Sequence, residues 1–200
     1  GVGSAYISKP VYGLPTDKAG EFVADGLGAC HVSGKDHIIV VSMGTGTSLI
    51  RCDGDRIEHI GGIGIGGGTL QGLSRLLLKT DNLRIGDISA RPLPGLPMTA
   101  VASLFGNAKS DASREDIAIG LIWTVLQSVG QSAVLASIGS SIREYVMIGN
   151  LTLLPQCRMV FPPIEKLYGV KLIIPEYAEF CTAIGAALSY FDDRYTTEAL

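Results

Sequence analysis

Residues 61–69 read Gly-Gly-Ile-Gly-Ile-Gly-Gly-Gly-Thr, and upstream of them residues 43–48 read Met-Gly-Thr-Gly-Thr-Ser. A backbone without Cβ atoms can come close to a phosphate, and a following helix N-terminus adds free N–H donors and a positive dipole end. Gly66-Gly67-Gly68-Thr69, opening an amphipathic run with Leu70, Leu73, Leu76 and Leu77 on one face, suits that chemistry. The competing reading is tight packing of the turn with no ligand at all. Residues 62–67 also match G-x-G-x-x-G, but that fingerprint belongs to a parallel βαβ unit. Here an antiparallel meander is expected just before it, which argues against dinucleotide binding. No G-x-x-x-x-G-K-[ST], H-E-x-x-H or G-x-S-x-G occurs anywhere in the chain.

Outward from this stretch the chain alternates strands and helices. Residues 38–43 are an apolar strand, Gly44-Thr45-Gly46 turns the chain, and Thr47 to Cys52 returns as a second strand. Asp53-Gly54 is a hairpin signal, and a third strand is expected from Arg56 to Ile60. The chain before the meander is turn-rich, then reads as a helix from Thr16 or Asp17 to Val32. Its three glycines make it weak unless tightly packed. After the glycine cluster come a helix 69–79, a loop 86–98 and a long apolar helix opened by a capping box at Ser113 and Asp116. A strand 145–148 ending at Gly149-Asn150, a helix 155–168, a strand 170–174, a helix 178–191 and a polar tail 193–200 complete the order. This is an α/β layout with a mixed sheet.

Composition narrows the class. Glycine supplies 26 of 200 residues and only 18% are charged, while 46% are hydrophobic; disorder and collagen are both excluded. A net charge of −3 gives no footprint for nucleic acid. The four cysteines form no C-x-x-C pair and read as buried free thiols in a cytoplasmic setting. The longest apolar stretch, 117–126, is about half a membrane span and reads as a core helix, so no membrane partner is expected. Ala118, Gly120, Gly130 and Ala133 on the long helix would permit either close approach of a second copy or packing on its own sheet.

Two glycine turns, one on a hairpin and one opening a helix, suggest the actin-like arrangement of sugar kinases and hsp70. More specifically, residues 43–48 and 61–69 resemble the type II pantothenate kinases. Ala100-Val101-Ala102-Ser103-Leu104-Phe105-Gly106-Asn107, Val146-Met147-Ile148-Gly149-Asn150 and Ala183-Ile184-Gly185-Ala186-Ala187-Leu188 add to the resemblance, which runs in order along nearly the whole chain. It implies an α/β, actin-like ATPase (ribonuclease H-like) fold, with an antiparallel meander in a mixed sheet, flanking helices and an incomplete first lobe. It also implies a dimer that phosphorylates pantothenate with ATP and Mg2+, the committed step toward coenzyme A, with acyl-CoA as a feedback ligand.

The resemblance assigns roles residue by residue. Glu21, in Glu21-Phe22 with Gly28 seven residues on, matches the family's catalytic base, suited to take the proton of a primary hydroxyl during phosphoryl transfer. Thr45 and Ser48 fall where family hydroxyls contact substrate and phosphate. His59 stands where the family places an arginine on the carboxylate side of the substrate; Arg56 is expected on the opposite face of that strand. Gly44, Gly46, Gly66, Gly67, Gly68, Thr69 and Gly149 are the expected nucleotide-phosphate contacts. The family's Asp-x-Gly-Gly-Thr loop is absent, so the chain is expected to be the C-terminal two thirds to three quarters of such a kinase. Residues 1–37 would then be a remnant of the first lobe with the catalytic helix, and 38–192 the second lobe. A non-catalytic nucleotide- or CoA-binding module, and an actin-like kinase for another hydroxyl substrate such as a sugar, stay open beside this reading.

Overall fold

The computed structural model describes residues 6–79 and 112–191. The family-like segment 100–107, the loop 86–98 and the tail 193–200 lie outside the described residues. The order is α1 (Glu21–Ser33), β1 (His37–Met43), β2 (Thr47–Asp53), β3 (Arg56–Ile63), α2 (Gly67–Leu78), α3 (Arg114–Ala136), β4 (Glu144–Ile148), α4 (Cys157–Tyr168), β5 (Lys171–Ile173) and α5 (Cys181–Tyr190). The strands form one sheet in the order β3-β2-β1-β4-β5. The β1–β2–β3 meander is antiparallel, and β4 and β5 add in parallel beside β1. The expected α/β architecture with a mixed sheet is what the chain adopts.

The layers follow from alternation along the strands. Ile38, Ile39, Val40 and Val41 are all fully buried, as a central strand covered on both faces requires. Ile39, Val41 and Met43 face a core built with α2, α3 and α4. Ile38 and Val40 face the other way, toward α1 and α5 with Ile50, Cys52, Val146 and Ile148. In α3, Ser113 Oγ accepts the Asp116 N–H at 3.1 Å while Asp116 Oδ2 accepts the Ser113 N–H at 3.2 Å, closing the expected box. The helix is long and apolar enough to cross a membrane by composition, but 67% of its apolar window is buried inside the fold. Its small residues are spent there too. Ala118 and Ala133 sit in the core, and a Cβ on Gly130 would stand 2.7 Å from Ile164 Cδ1 of α4. They therefore serve this chain's own core rather than a close approach by a second copy.

Three boundaries differ from expectation by three residues or more. Helix α1 starts at Glu21 because Thr16 belongs to the preceding loop: its hydroxyl accepts the Val11 N–H and donates to Leu14 O, each at 2.9 Å. Strand β3 runs on to Ile63 through a bulge opposite Leu49 and Ile50, where Gly61 takes φ +149. The extra residue brings Ile60 and Ile63, which regular alternation would separate, onto the same core. The last helix is broken, since Phe180 N–H bonds three residues back to Tyr177 O in a short 3-10 turn before α5 begins.

Helix α1 lies beside α5 on the sheet. Gly28 meets the Cys181 carbonyl and Gly185 meets the Ala24 carbonyl so closely that a Cβ on either would overlap the partner's backbone. Its buried face is Ala24, Asp25, Gly26, Gly28 and Ala29. The glycines that weaken this helix in isolation are what let it pack.

Candidate functional site

In open sheets with parallel strands, ligands bind outside the carboxyl ends, where neighbouring connections leave in opposite directions. That point here lies between β1 and β4. Gly44 follows the end of β1, and Gly149 follows the end of β4. Gly149 has φ +94, a Cβ there would stand 2.6 Å from Met43 O, and its N–H donates to Ala178 O at 3.0 Å. Only glycine fits such a left-handed position pressed against a neighbouring strand. Gly44 and Thr45 are exposed at the tip of the β1–β2 turn.

The two glycine turns meet, and they bind each other. Gly67 N–H donates to Gly44 O at 2.8 Å and Gly68 N–H to Thr45 O at 2.9 Å. The Thr69 hydroxyl donates to Gly64 O at 2.9 Å and accepts the Gly66 N–H at 3.3 Å. Buried Thr47 adds a hydroxyl bond to Ile65 O at 2.8 Å. A Cβ on Gly66 would stand 2.5 Å from Gly46 O, and one on Gly46 would stand 3.0 Å from Ile63 O. The Gly67 and Gly68 N–H groups thus serve the neighbouring turn, and the Thr69 hydroxyl serves its own glycine run.

A second group gathers on the α1 face of the sheet. Ser42 and Ser48 are cross-strand partners, and alternation places them on the same side as Val40 and Ile50, beneath α1. Glu21 stands in the first turn of α1, after an N-cap Gly20 that offers no side-chain cap. One turn later Asp25 is 1% exposed, and its Oδ1 accepts the Thr182 hydroxyl of α5 at 2.5 Å. Its Oδ2 is buried without a hydrogen-bond partner among the described residues. Burial pushes the Asp25 carboxyl above the ordinary carboxylate value, against the downward pull of the Thr182 and Ser42 hydroxyls, and the negative Glu21 adds to the rise.

His59 on β3 is exposed. Its ring stacks on Phe22, with centroids 3.9 Å apart and planes 5° from parallel. Arg56, on the other face of the strand, reaches Glu58 Oε2 at 3.1 Å, and Arg51 approaches the same oxygen at 3.8 Å.

The structure thus brings Glu21, Ser48 and His59 to one face. It places Gly44, Thr45, Gly46, Gly66, Gly67, Gly68 and Thr69 in the packed pair of turns, with Gly149 at the end of the adjoining strand. Sequence reasoning missed Asp25, Ser42 and Thr182, and named Phe22 only as the neighbour of Glu21. A usable signal existed for Asp25: a carboxylate one helical turn after Glu21, set between Ala24 and Gly26 on a face of small residues.

A cavity of about 640 Å³ opens between α4 and the end of β5, lined by Thr152, Leu154, Arg158, Glu165, Ile174 and Glu176 among others. None of the expected site residues lines it. No three His, Cys, Asp or Glu side chains come together among the described residues. These residues form no cage of their own for Mg2+, an ion that is commonly held by one or two carboxylates together with substrate phosphates.

No family model matches the chain. Pantothenate kinase 1 of Arabidopsis thaliana is 33% identical over 188 residues, covering 78% of this chain and 49% of that enzyme. A type II pantothenate kinase of Staphylococcus haemolyticus is 28% identical over 176 residues, covering 76% and 65% respectively. The 4'-phosphopantetheine phosphatase of Mus musculus is 33% identical over 120 residues, which is 48% of this chain and 15% of that protein. The chain thus spans about half the length of the plant enzyme. Among solved structures, the activator of 2-hydroxyisocaproyl-CoA dehydratase from Clostridium difficile with bound ADPNP superposes with a TM-score of 0.57 at 16% identity, covering 86% of this chain and 66% of that one. Component A of the Acidaminococcus fermentans (R)-2-hydroxyglutaryl-CoA dehydratase gives 0.56 at 18% identity, covering 84% and 66%. The chain carries the actin-like ATPase fold and is a homologue of the pantothenate kinases, the bacterial type II enzyme among them.

Proposed function

We propose that this chain is the part of a pantothenate kinase that carries the catalytic carboxylate and one wall of the nucleotide cleft. The whole enzyme would move the γ-phosphoryl group of ATP to the primary hydroxyl of pantothenate. The observation that carries this reading is that Glu21 opens helix α1, which packs on the sheet face of Ser42 and Ser48, in a chain with pantothenate kinase homologues. Glu21 takes the hydroxyl proton as the phosphoryl group departs. Thr45 and Ser48 orient substrate and phosphate, while Gly44, Gly46 and Gly149 let the backbone approach them. When bound, Mg2+ would offset charge on the phosphates. A cytoplasmic homodimer with acyl-CoA as feedback ligand belongs to the same reading.

The test is turnover of ATP and pantothenate by the full-length protein and its Glu21→Gln variant. A fall in kcat of about 100-fold or more, with KM for ATP held, is expected. Wild-type turnover that survives the substitution removes Glu21 as the base. A second reading, another hydroxyl substrate, is favoured by one observation: His59 lies on Phe22, and Arg51 and Arg56 both engage Glu58. A panel of hydroxyl substrates with and without a carboxylate separates the two.

A further inference from the structure

We propose that His59 is a positioning residue that acts through Phe22 to hold Glu21 in place, and that its aromatic ring, rather than its charge, is what the site uses. This rests on the reading of Glu21 as the base. Helix α1 is secured from Ala24 onward, where burial begins and the close contacts with α5 follow. Glu21 and Phe22 precede those contacts. Gly20 provides no side-chain cap, and the first turn of any helix carries N–H groups without intrahelical partners. Phe22, beside Glu21, is stacked on a residue of the sheet.

The geometry forms a two-rung ladder between α1 and β3. Phe22 and Gly26 are one helical turn apart and share a face of α1; Ile57 and His59 are two apart and share a face of β3. In the inner rung, Ile57 lies so close to Gly26 that a Cβ there would stand 2.7 Å from Ile57 Cγ2. The outer rung is the Phe22–His59 stack at 3.9 Å and 5°. His59 itself is paired with Ile50 on β2, immediately before the bulge. It is therefore fixed to the sheet, and through Phe22 it fixes the residue next to Glu21. Displacing a catalytic group by about 1 Å can cost about 100-fold in rate, so a loose first turn would be felt in kcat.

The experiment compares His59→Ala, His59→Phe, Phe22→Ala and the double alanine variant in the full-length protein. Steady-state kinetics are measured with ATP and pantothenate, and amide exchange is followed over the first turn of α1 without substrate. The expected result is a fall in kcat of about tenfold or more for either alanine variant, with KM for ATP within about twofold. The double variant falls no further than the worse single one, since both remove the same contact. His59→Phe recovers kcat to within about threefold of wild type, because a phenyl ring stacks as an imidazole does. First-turn exchange quickens in the alanine variants and not in His59→Phe. The proposal is overturned if His59→Phe is as defective as His59→Ala with KM for pantothenate raised, which would make His59 an anion contact. Unchanged exchange in both alanine variants overturns it too. Should wild type not phosphorylate pantothenate, the kinase reading fails on that result alone, and the exchange comparison still decides whether His59 secures the helix.

Discussion

Replacing Gly66 by alanine separates the two explanations of the glycine cluster. If the glycines exist to let the turns pack, Gly66→Ala is a stability mutation; if they exist to admit a phosphate, it is an affinity mutation. The added Cβ would stand 2.5 Å from Gly46 O, 2.6 Å from Gly46 C and 2.8 Å from Gly46 Cα. All three are backbone atoms, so no rotamer change relieves the overlap. Reaching ordinary contact near 3.4 Å requires the turns to part by about 0.9 Å. The neighbouring bonds Gly67 N–H to Gly44 O and Gly68 N–H to Thr45 O, now 2.8 and 2.9 Å, would then exceed hydrogen-bonding range. Two lost bonds at about 1 kcal/mol each and overpacking of about 1–3 kcal/mol are offset by about 0.5–1 kcal/mol from a stiffer unfolded chain. The net cost is about 2–4 kcal/mol, read as the shift of the urea midpoint at constant m. Gly72→Ala is the control: it has open space inside α2, and should stabilise by about 0.5–1 kcal/mol. A Gly66→Ala protein of wild-type stability that has lost nucleotide affinity would refute the packing account.

Other substitutions test neighbouring claims. Asp25 holds its proton more tightly in the folded than in the unfolded chain, so its contribution is fullest below the ordinary value of 3.8 and is lost as pH rises through the raised one. Asp25→Asn, which keeps an acceptor for Thr182, should therefore gain in Tm relative to wild type as pH climbs toward neutrality; parallel Tm–pH curves would contradict a buried carboxyl. Thr47→Val removes the buried hydroxyl bond to Ile65 O and should lower stability by about 1–3 kcal/mol in urea. Among the thiols, Cys30 is lowered by its hydrogen bond with Cys52, which is itself raised, while burial pushes Cys157 up to about 12 and Cys181 up to about 11. Iodoacetamide at neutral pH should label Cys30 first, and prior labelling of Cys52 would reverse that assignment.

Local signals made most elements legible. Four consecutive β-branched residues, Ile38 to Val41, announce a strand buried on both faces, and Ser113 with Asp116 announces the start of α3 because both halves of that box lie within one turn. The errors came where a partner outside the expected element decides. Thr16 looks like a helix cap, but Leu14 O and Val11 N–H claim it first. The glycines after Ile60 look like a loop, yet the β2 edge holds residues up to Ile63 in the ladder. Asp25 could be seen as a helical acid. Its chemistry could not, because Thr182 lies 157 positions away and only the α1–α5 contact brings it near.

The packing of the turns also redirects what the hairpin can offer a ligand. A trans peptide holds its C=O and its N–H on opposite sides. The carbonyls of Gly44 and Thr45 point at the start of α2, where they accept Gly67 and Gly68 N–H. The N–H groups of the same two peptides belong to Thr45 and Gly46, and they must point away from α2. The helix N-terminus thus braces the hairpin: its N–H groups donate to two carbonyl oxygens, which would repel a phosphate, and turn them inward. Backbone donors suited to an anion are left on the far side of the turn, at Thr45 and Gly46, beside the exposed Thr45 hydroxyl. Packing and ligand approach are therefore not rival explanations of the glycine excess. Gly66, Gly67 and Gly68 satisfy the first, and by doing so they leave the Thr45 and Gly46 N–H groups as the donors that the proposed phosphate contact would use.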